Sequence, residues 1–417
     1  MGKFYNSFSF VGDLLVPNDE KKLFAVQTFD SGAKKASLKV GVKESKVNGI
    51  FVTAEGWLPK SENDVLKRAT GEKAEDGSQI TVEIPYKDRL TQAALDSVAN
   101  FCKSTVDLET DQEVKKRRFE LINKIRNREE KEMTDENVKA IADYKAELAE
   151  KSKNVHEFIT DLDFIEFIRD NVETLKKHKV KVTGNVTKSE YKGKSYINYV
   201  PNKIEIVPSD YENRLLIIAD LYFDKSAVDD VAFEDSKKLL INGYLMNRDN
   251  VVKADRFYPQ QFIINANKVN FEDAGQVELF NFLKGLFTVD GDNFYHLTWE
   301  VNAYRGAETK EFTYDDLTPT QKALVDMNVK NVEDFKPRGQ YLGGNVDELL
   351  LIMPRLEGEF SNGAVDTTFD EETFASLIAA STGDVSLNDV KKDDTPKQEE
   401  PKPQDDMASK LKGLFGN

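Results

Sequence analysis

The sequence predicts an α+β chain that is mainly β, built from several small β-barrels around a helical insert and ending in a disordered acidic tail. Three observations carry this expectation. Short runs rich in β-branched and aromatic residues, separated by Gly, Pro, Asn and Asp, fill residues 3–87 and resume from Lys179 to Phe360. From Thr91 to Lys177 the chain lacks Pro and Gly and its apolar residues recur at spacings of three and four. Beyond Ser381 it turns into the Pro-containing, charged "DVKKDDTPKQEEPKPQDD", which has too few apolar groups to offset the entropy of ordering.

Taken in order, "NSFSFVGDLLVP", "KKASLKVGVKES", "NGIFVTAEGWLP" and "GSQITVEIPYK" read as strands of an N-terminal β domain. Helices are expected over "TQAALDSVANFCKS", "DQEVKKRRFELINKIRNREEKEM", "TDENVKAIADYKAELAEKS" and "VHEFITDLDFIEFIRDNVETLKK". In the last, Phe158, Leu162, Ile165 and Ile168 fall on one stripe. Two more are expected at "DAGQVELFNFLKGLF" and "TPTQKALVDMN" among the later strands.

A recurring pattern sharpens the β blocks. Phe8-x-Phe10-x-Gly12-x-Leu14, Val180-x-Val182-x-Gly184-x-Val186 and Leu239-x-Ile241-x-Gly243-x-Leu245 are alternating strands with a glycine at an inward position. Glycine inside a strand weakens it, and its use there marks a bulge or the sharp bend of a barrel corner. The first strand of a small OB-like barrel needs such a bend, because it serves both halves of the sheet. The expected division is an OB-like domain over 1–90, a helical insert over 91–177, OB-like domains over 178–232 and 233–380, and a tail over 381–417.

The 417 residues are enough for a substantial core, and the single cysteine, Cys102, leaves no internal disulfide to form. With no long apolar run and no secretory pattern at "MGKFYNSFSF", the expectation is a cytoplasmic protein without membrane association. "MGKFYNS" is a poor myristoylation site, with Asn at its sixth position. The net charge of -16 excludes a whole-surface polyanion binder but not a local basic groove.

Catalytic signatures are absent, so no enzyme activity, cofactor or metal is expected. His156, His178 and His296 lie far apart without a second ligand at metal spacing. "GKS" at Gly193 falls between two strands and has Lys188 where a phosphate loop needs glycine. Pairs such as "DLDF" and "YDD" are expected by chance among 74 acidic residues.

The remaining signal is lysine interleaved with aromatic rings. Lys179, Lys181, Lys188, Lys192, Lys194 and Lys203 stand with Tyr191, Tyr196 and Tyr199, and Lys34, Lys35, Lys39 and Lys43 precede Trp57. Ammonium groups following phosphates, with flat rings stacking on bases, make a sequence-tolerant single-strand site. The alternative for these residues is a solubilising edge. "KKRRF" at Lys115–Phe119 reads as a solvated mixed-charge helix, and Leu411, Leu414 and Phe415 give the tail an apolar tip suited to a partner's groove.

The segment "VKVTGNVTKSEYKGKSYINYVPNKIEI" resembles the first three strands of OB-fold single-stranded DNA-binding proteins, and its style resembles the bacteriophage replication type. The tail fits that resemblance, although lysines lie near Phe415 and two residues follow it, unlike the bacterial housekeeping family. The resemblance implies a non-enzymatic protein that coats single-stranded DNA during replication or recombination. Its tail would recruit replication or recombination proteins, and homo-oligomers are compatible with it. The alternative class is an assembly or scaffold protein making protein contacts only.

Overall fold

The computed structural model describes residues 6–369, apart from 62, 131–133, 192–193, 250–253, 290–293, 310–312, 336–341 and 356–365. The expected tail, with Leu411, Leu414 and Phe415, lies outside the described residues.

Alternation in the N-terminal block gives β1 (Ser7–Leu15), β2 (Phe24–Thr28), β3 (Lys34–Lys43) and β4 (Gly49–Trp57), with the one-turn helix α1 (Glu20–Leu23) before β2. Every second residue of β3 and β4 is buried in one core: Ala36, Leu38, Val40 and Val42, facing Ile50, Val52 and Ala54. β5 (Val65–Lys73) and β6 (Gln79–Pro85) form a separate two-stranded sheet.

The insert holds α2 (Gln92–Asp96), β7 (Ser104–Asp107), α3 (Gln112–Glu129), α4 (Asp135–Lys151), β8 (Val155–Phe158) and α5 (Asp161–Leu175). Asp111, Thr134 and Thr160 cap α3, α4 and α5 by accepting bonds from first-turn N–H groups. The insert is thus not all helix. "STVD" and "VHEF" pair with each other, and β7 joins the edge of the main sheet, because short segments rich in β-branched and aromatic residues find a strand partner there. "KKRRF" is solvated on one side only, where Lys116 and Phe119 are exposed and Arg117 pairs with Glu147. Arg118 is buried, its Nη2 is 2.6 Å from Asp107 Oδ2, and Lys115 donates to the Ile206 carbonyl, so the helix is fastened to the sheet.

The rest of the chain forms β9 (Lys179–Tyr191), β10 (Lys194–Ile206), β11 (Arg214–Phe223), β12 (Val228–Asp229), α6 (Phe233–Ser236), β13 (Lys238–Asp249) and β14 (Ala254–Asn265). It continues with α7 (Ala274–Gly285), β15 (Phe294–Thr309), α8 (Pro319–Asp326), β16 (Leu342–Pro354) and β17 (Asp366–Phe369). The described chain is mainly β, with fifteen strands in one sheet.

Pairing follows two circuits. In one, β11 pairs β13, β13 pairs β14, β14 meets β16 in parallel at Ile263↔Leu350, β16 pairs β15, and β15 returns to β11. In the other, β3 joins β1 to β4, β1 pairs β9, β9 pairs β10, and β10 lies against β4. A helix stands between the third and fourth strands of each circuit, α7 in the first described and α5 in the second.

These pairings join segments that the sequence divides. β1, from 1–90, pairs with β9 from Ser7↔Asn185 to Asp13↔Lys179, while β11, from 178–232, belongs to the circuit of β13–β16. β9 is therefore the fourth strand of a circuit begun at β1, and "VKVTGNV" does not open a new one. Alternation reveals which face of a strand is apolar, but not which distant strand it will meet.

The three patterned glycines share a structural role. β1 pairs with β11 up to Val11 and with β3 from Asp13, so Gly12 stands at the change of partner. β13 changes from β12 at Ile241 to β11 at Tyr244, with Gly243 between. Gly184 lies opposite Pro201, where β10 carries a bulge. A methyl group on Gly12 would sit 2.8 Å from the Lys43 carbonyl carbon, on Gly243 2.8 Å from Tyr222 O, and on Gly184 2.7 Å from Pro201 Cα. Only a residue without Cβ lets neighbouring backbones approach this closely.

The circuits are also fastened to each other. Asn48, in the turn after β3, accepts from Arg305 N at 2.9 Å and donates to Ala303 O on β15. Asn6 donates to Met246 O at 3.1 Å and accepts from Asp220 N at 2.9 Å. No helix among the described residues is long and apolar enough to cross a membrane.

Candidate nucleic-acid interface

The side of β2, β3 and β4 facing away from the core carries the sequence-predicted Lys35, Lys39 and Trp57. Because Ala36, Leu38 and Val40 point inward, Lys35, Ser37 and Lys39 point outward, and on β4 so do Phe51, Thr53, Glu55 and Trp57. Register aligns Lys35 with Trp57 and Lys39 with Thr53.

Rings and ammonium groups interleave on this face. Lys35 Nζ stands 5.8 Å from the Trp57 ring centroid and 5.9 Å from that of Phe29, and those two rings lie 5.3 Å apart. Lys39 Nζ is 5.0 Å from the Phe51 centroid. Trp57 is 59% exposed and Phe51 39%, which for rings of this size leaves flat apolar surface open to a planar ligand. Glu55 sits in the middle and binds Lys35 at 2.9 Å, whereas Lys39 makes no ion pair among the described residues. Lys34 is exposed at the start of β3 and Lys43 half-buried at its end. Sequence reasoning did not select Phe29 and Phe51 as site residues. Phe51 shares the parity of Trp57, a signal that was available; Phe29 follows β2 and is brought in only by pairing.

The basic stretch from Lys179 to Lys203 is largely engaged with the protein itself. Lys181 and Lys203 reach the same carboxylate, Glu205, at 3.2 and 2.8 Å. Burial pushes the Glu205 carboxyl up, but the two lysines outweigh it and hold it below the usual range. Lys179 donates to the Tyr211 carbonyl. Tyr196 is 45% exposed on β10.

Two assignments in this stretch are corrected. Tyr199 is a core residue, edge-on to Phe8 and Phe10 at 5.6 and 5.1 Å, and burial pushes its phenol well above the ordinary value. It shares the inward side of β10, opposite in parity to Tyr196, so no base can reach it. Lys188 continues the inward series Val180, Val182, Gly184 and Val186, and is only 6% exposed. Its Nζ donates to Gln260 Oε1 at 2.7 Å, and burial lowers its pKa to about 8. It is not a surface phosphate contact. Lys192 lies outside the described residues, as do the side chains of Tyr191 and Lys194, although β9 and β10 include those two positions.

His156 lies beside Phe167 at 4.4 Å, and His296 is fully buried beside Tyr222 at 4.6 Å, its Nε2 3.5 Å from Asp220 Oδ1. Among the described residues no group of His, Cys, Asp and Glu is placed to hold a metal ion. No protein-family model, curated protein or solved structure matches the chain.

Proposed function

We propose that the two strand circuits are OB-type barrels and that the chain binds single-stranded DNA with little sequence preference, as a non-enzymatic protein of replication or recombination. The outward face of β2–β4 carries this reading. It puts Lys35 and Lys39 among the exposed rings of Phe51 and Trp57 and the half-buried ring of Phe29, on one side of a sheet whose other side is core. Cations for phosphates and rings for bases are the two components of a sequence-tolerant single-strand site. The topology supports the same reading: in each circuit a helix separates the third and fourth strands, and in an OB-fold the second and third strands face the oligonucleotide. In the circuit of β1, β3, β4, β9 and β10 those strands are β3 and β4. The acidic tail and its apolar tip, Leu411, Leu414 and Phe415, are assigned to recruiting partner proteins.

The test is titration with oligo-dT followed by tryptophan fluorescence, which reports on exposed Trp57 beside fully buried Trp299. Binding should quench the signal and weaken with salt, by about 0.7 in log–log slope per phosphate contacted. Trp57→Ala should cost about 1–3 kcal/mol, a loss of roughly 5- to 150-fold. Absence of binding at low salt, with self-association that ignores DNA, would instead establish the scaffold class.

A further inference from the structure

A second polar site lies where the circuits meet. The end of β9 packs against β13 and β14 beside a half-open cavity of about 300 Å³ lined by Lys188, Asp224, Asn242, Tyr244, Gln260 and Gln261. The volume is at the low end of small-molecule sites, which run to roughly 300–1,000 Å³, so it holds one compact unit and not a folded chain.

The charges there are unbalanced. Lys188 is 94% removed from solvent by its 6% exposure, yet its hydrogen-bond acceptor is the neutral amide of Gln260, and it makes no ion pair among the described residues. Buried ammonium groups are ordinarily paired with an anion. The carboxylate on the wall, Asp224, is occupied at Oδ1 by the N–H and hydroxyl of Ser226, at 2.7 and 2.6 Å. Gln260 Nε2 donates to the backbone carbonyl of Gln261 at 2.9 Å, and at the exposed rim Gln261 Nε2 donates to Asn242 Oδ1 at 3.1 Å. That leaves the Asn242 NH₂ as donor and the Gln261 side-chain Oε1 as acceptor, a pair able to meet the donor and acceptor groups on the edge of a nucleobase.

We infer that this cavity binds a single nucleoside monophosphate unit, its phosphate on Lys188, its base edge on Asn242 and Gln261, and a sugar hydroxyl donating to Asp224. The unit is either a free nucleotide or one residue of a bound strand, and the second source rests on the strand-binding reading above.

The experiment is calorimetric titration of the full chain with dTMP, inorganic phosphate and thymidine, with and without saturating oligo-dT. dTMP should bind, and thymidine should bind at least about tenfold more weakly, the worth of a charge-assisted hydrogen bond. Lys188→Met should remove the preference for dTMP over thymidine, while Gln261→Ala should weaken dTMP and leave phosphate unchanged. A line-width and shift change of the ¹³C-methylated Lys188 amine on adding dTMP reads the same contact in unmutated protein. Displacement by oligo-dT identifies a strand residue as the occupant; its absence identifies the free nucleotide. No binding of dTMP or phosphate at millimolar concentration, or equal affinity in Lys188→Met, overturns the proposal. If oligo-dT still binds in that case, the strand-binding reading survives. Loss of oligo-dT binding with intact dTMP binding sinks that reading alone.

Discussion

Replacing Lys188 by methionine should stabilise the protein at neutral pH. The lysine is 6% exposed and burial lowers its pKa from 10.5 to about 8, with no opposing contribution from a neighbouring charge. At about 1.4 kcal/mol per unit, holding the ammonium charged in the folded state costs about 3 kcal/mol. Methionine fills similar volume without charge but forfeits the bond to Gln260, worth about 1 kcal/mol. A net gain of about 1–2 kcal/mol follows at pH 7. The pH dependence fixes the cause. Between about 8 and 10.5 the unfolded chain binds the proton that the folded chain has released, so wild-type stability rises with pH across that window. The variant lacks this rise, and its advantage fades as the pH approaches 10.5. Urea unfolding of both proteins at pH 7, 8, 9 and 10 measures the two curves. A variant less stable than wild type at pH 7, or curves that stay parallel to pH 10, would refute the reasoning.

Four further outcomes separate core from surface. Tyr199→Ala should cost about 3–5 kcal/mol in unfolding free energy through the cavity it leaves between Phe8 and Phe10, without altering oligo-dT affinity below the transition. Trp57→Ala should do the reverse, leaving Tm within a few degrees while affinity falls. Gly184→Ala places a methyl group against the Val200 carbonyl and should cost about 1–3 kcal/mol or more, seen as a lowered urea midpoint. Asp163 lies under Arg89, with contacts at 2.7 and 2.8 Å, and accepts from its own cap, Thr160. Asp163→Asn should cost about 3 kcal/mol by leaving a half-buried guanidinium unpaired, and amide exchange should show β5–β6 and α5 loosening together.

Much of the local structure was legible in the chain. The alternation of Ala36, Leu38 and Val40 with Lys35 and Lys39 specifies which side of β3 is wet, because successive strand residues point to opposite faces. The same rule applies at Lys188, which continues the inward series of Val180 and Val182; its parity places it inside, away from the outward lysine face where its charge alone would put it. Tyr199 stands out in the sequence as a ring among lysines; its parity, opposite to that of Tyr196, puts it inward, and the bulge between Pro201 and Lys203 lets both it and Ile204 face the core.

The sequence by itself determined the mainly β character, the three glycines set at inward strand positions, the helices of the insert and the mixture of cations and rings, since each depends on neighbours within a few residues. Only the tertiary structure decided how these parts combine. It seated β1 between β9 and its two other partners, paired Lys181 and Lys203 with Glu205, and brought Phe29 beside Trp57. It also enclosed Lys188 against Gln260, 72 positions further along the chain. Partners so distant are selected by which apolar faces and backbone edges fit together in space, and spacing along the chain carries no record of that fit.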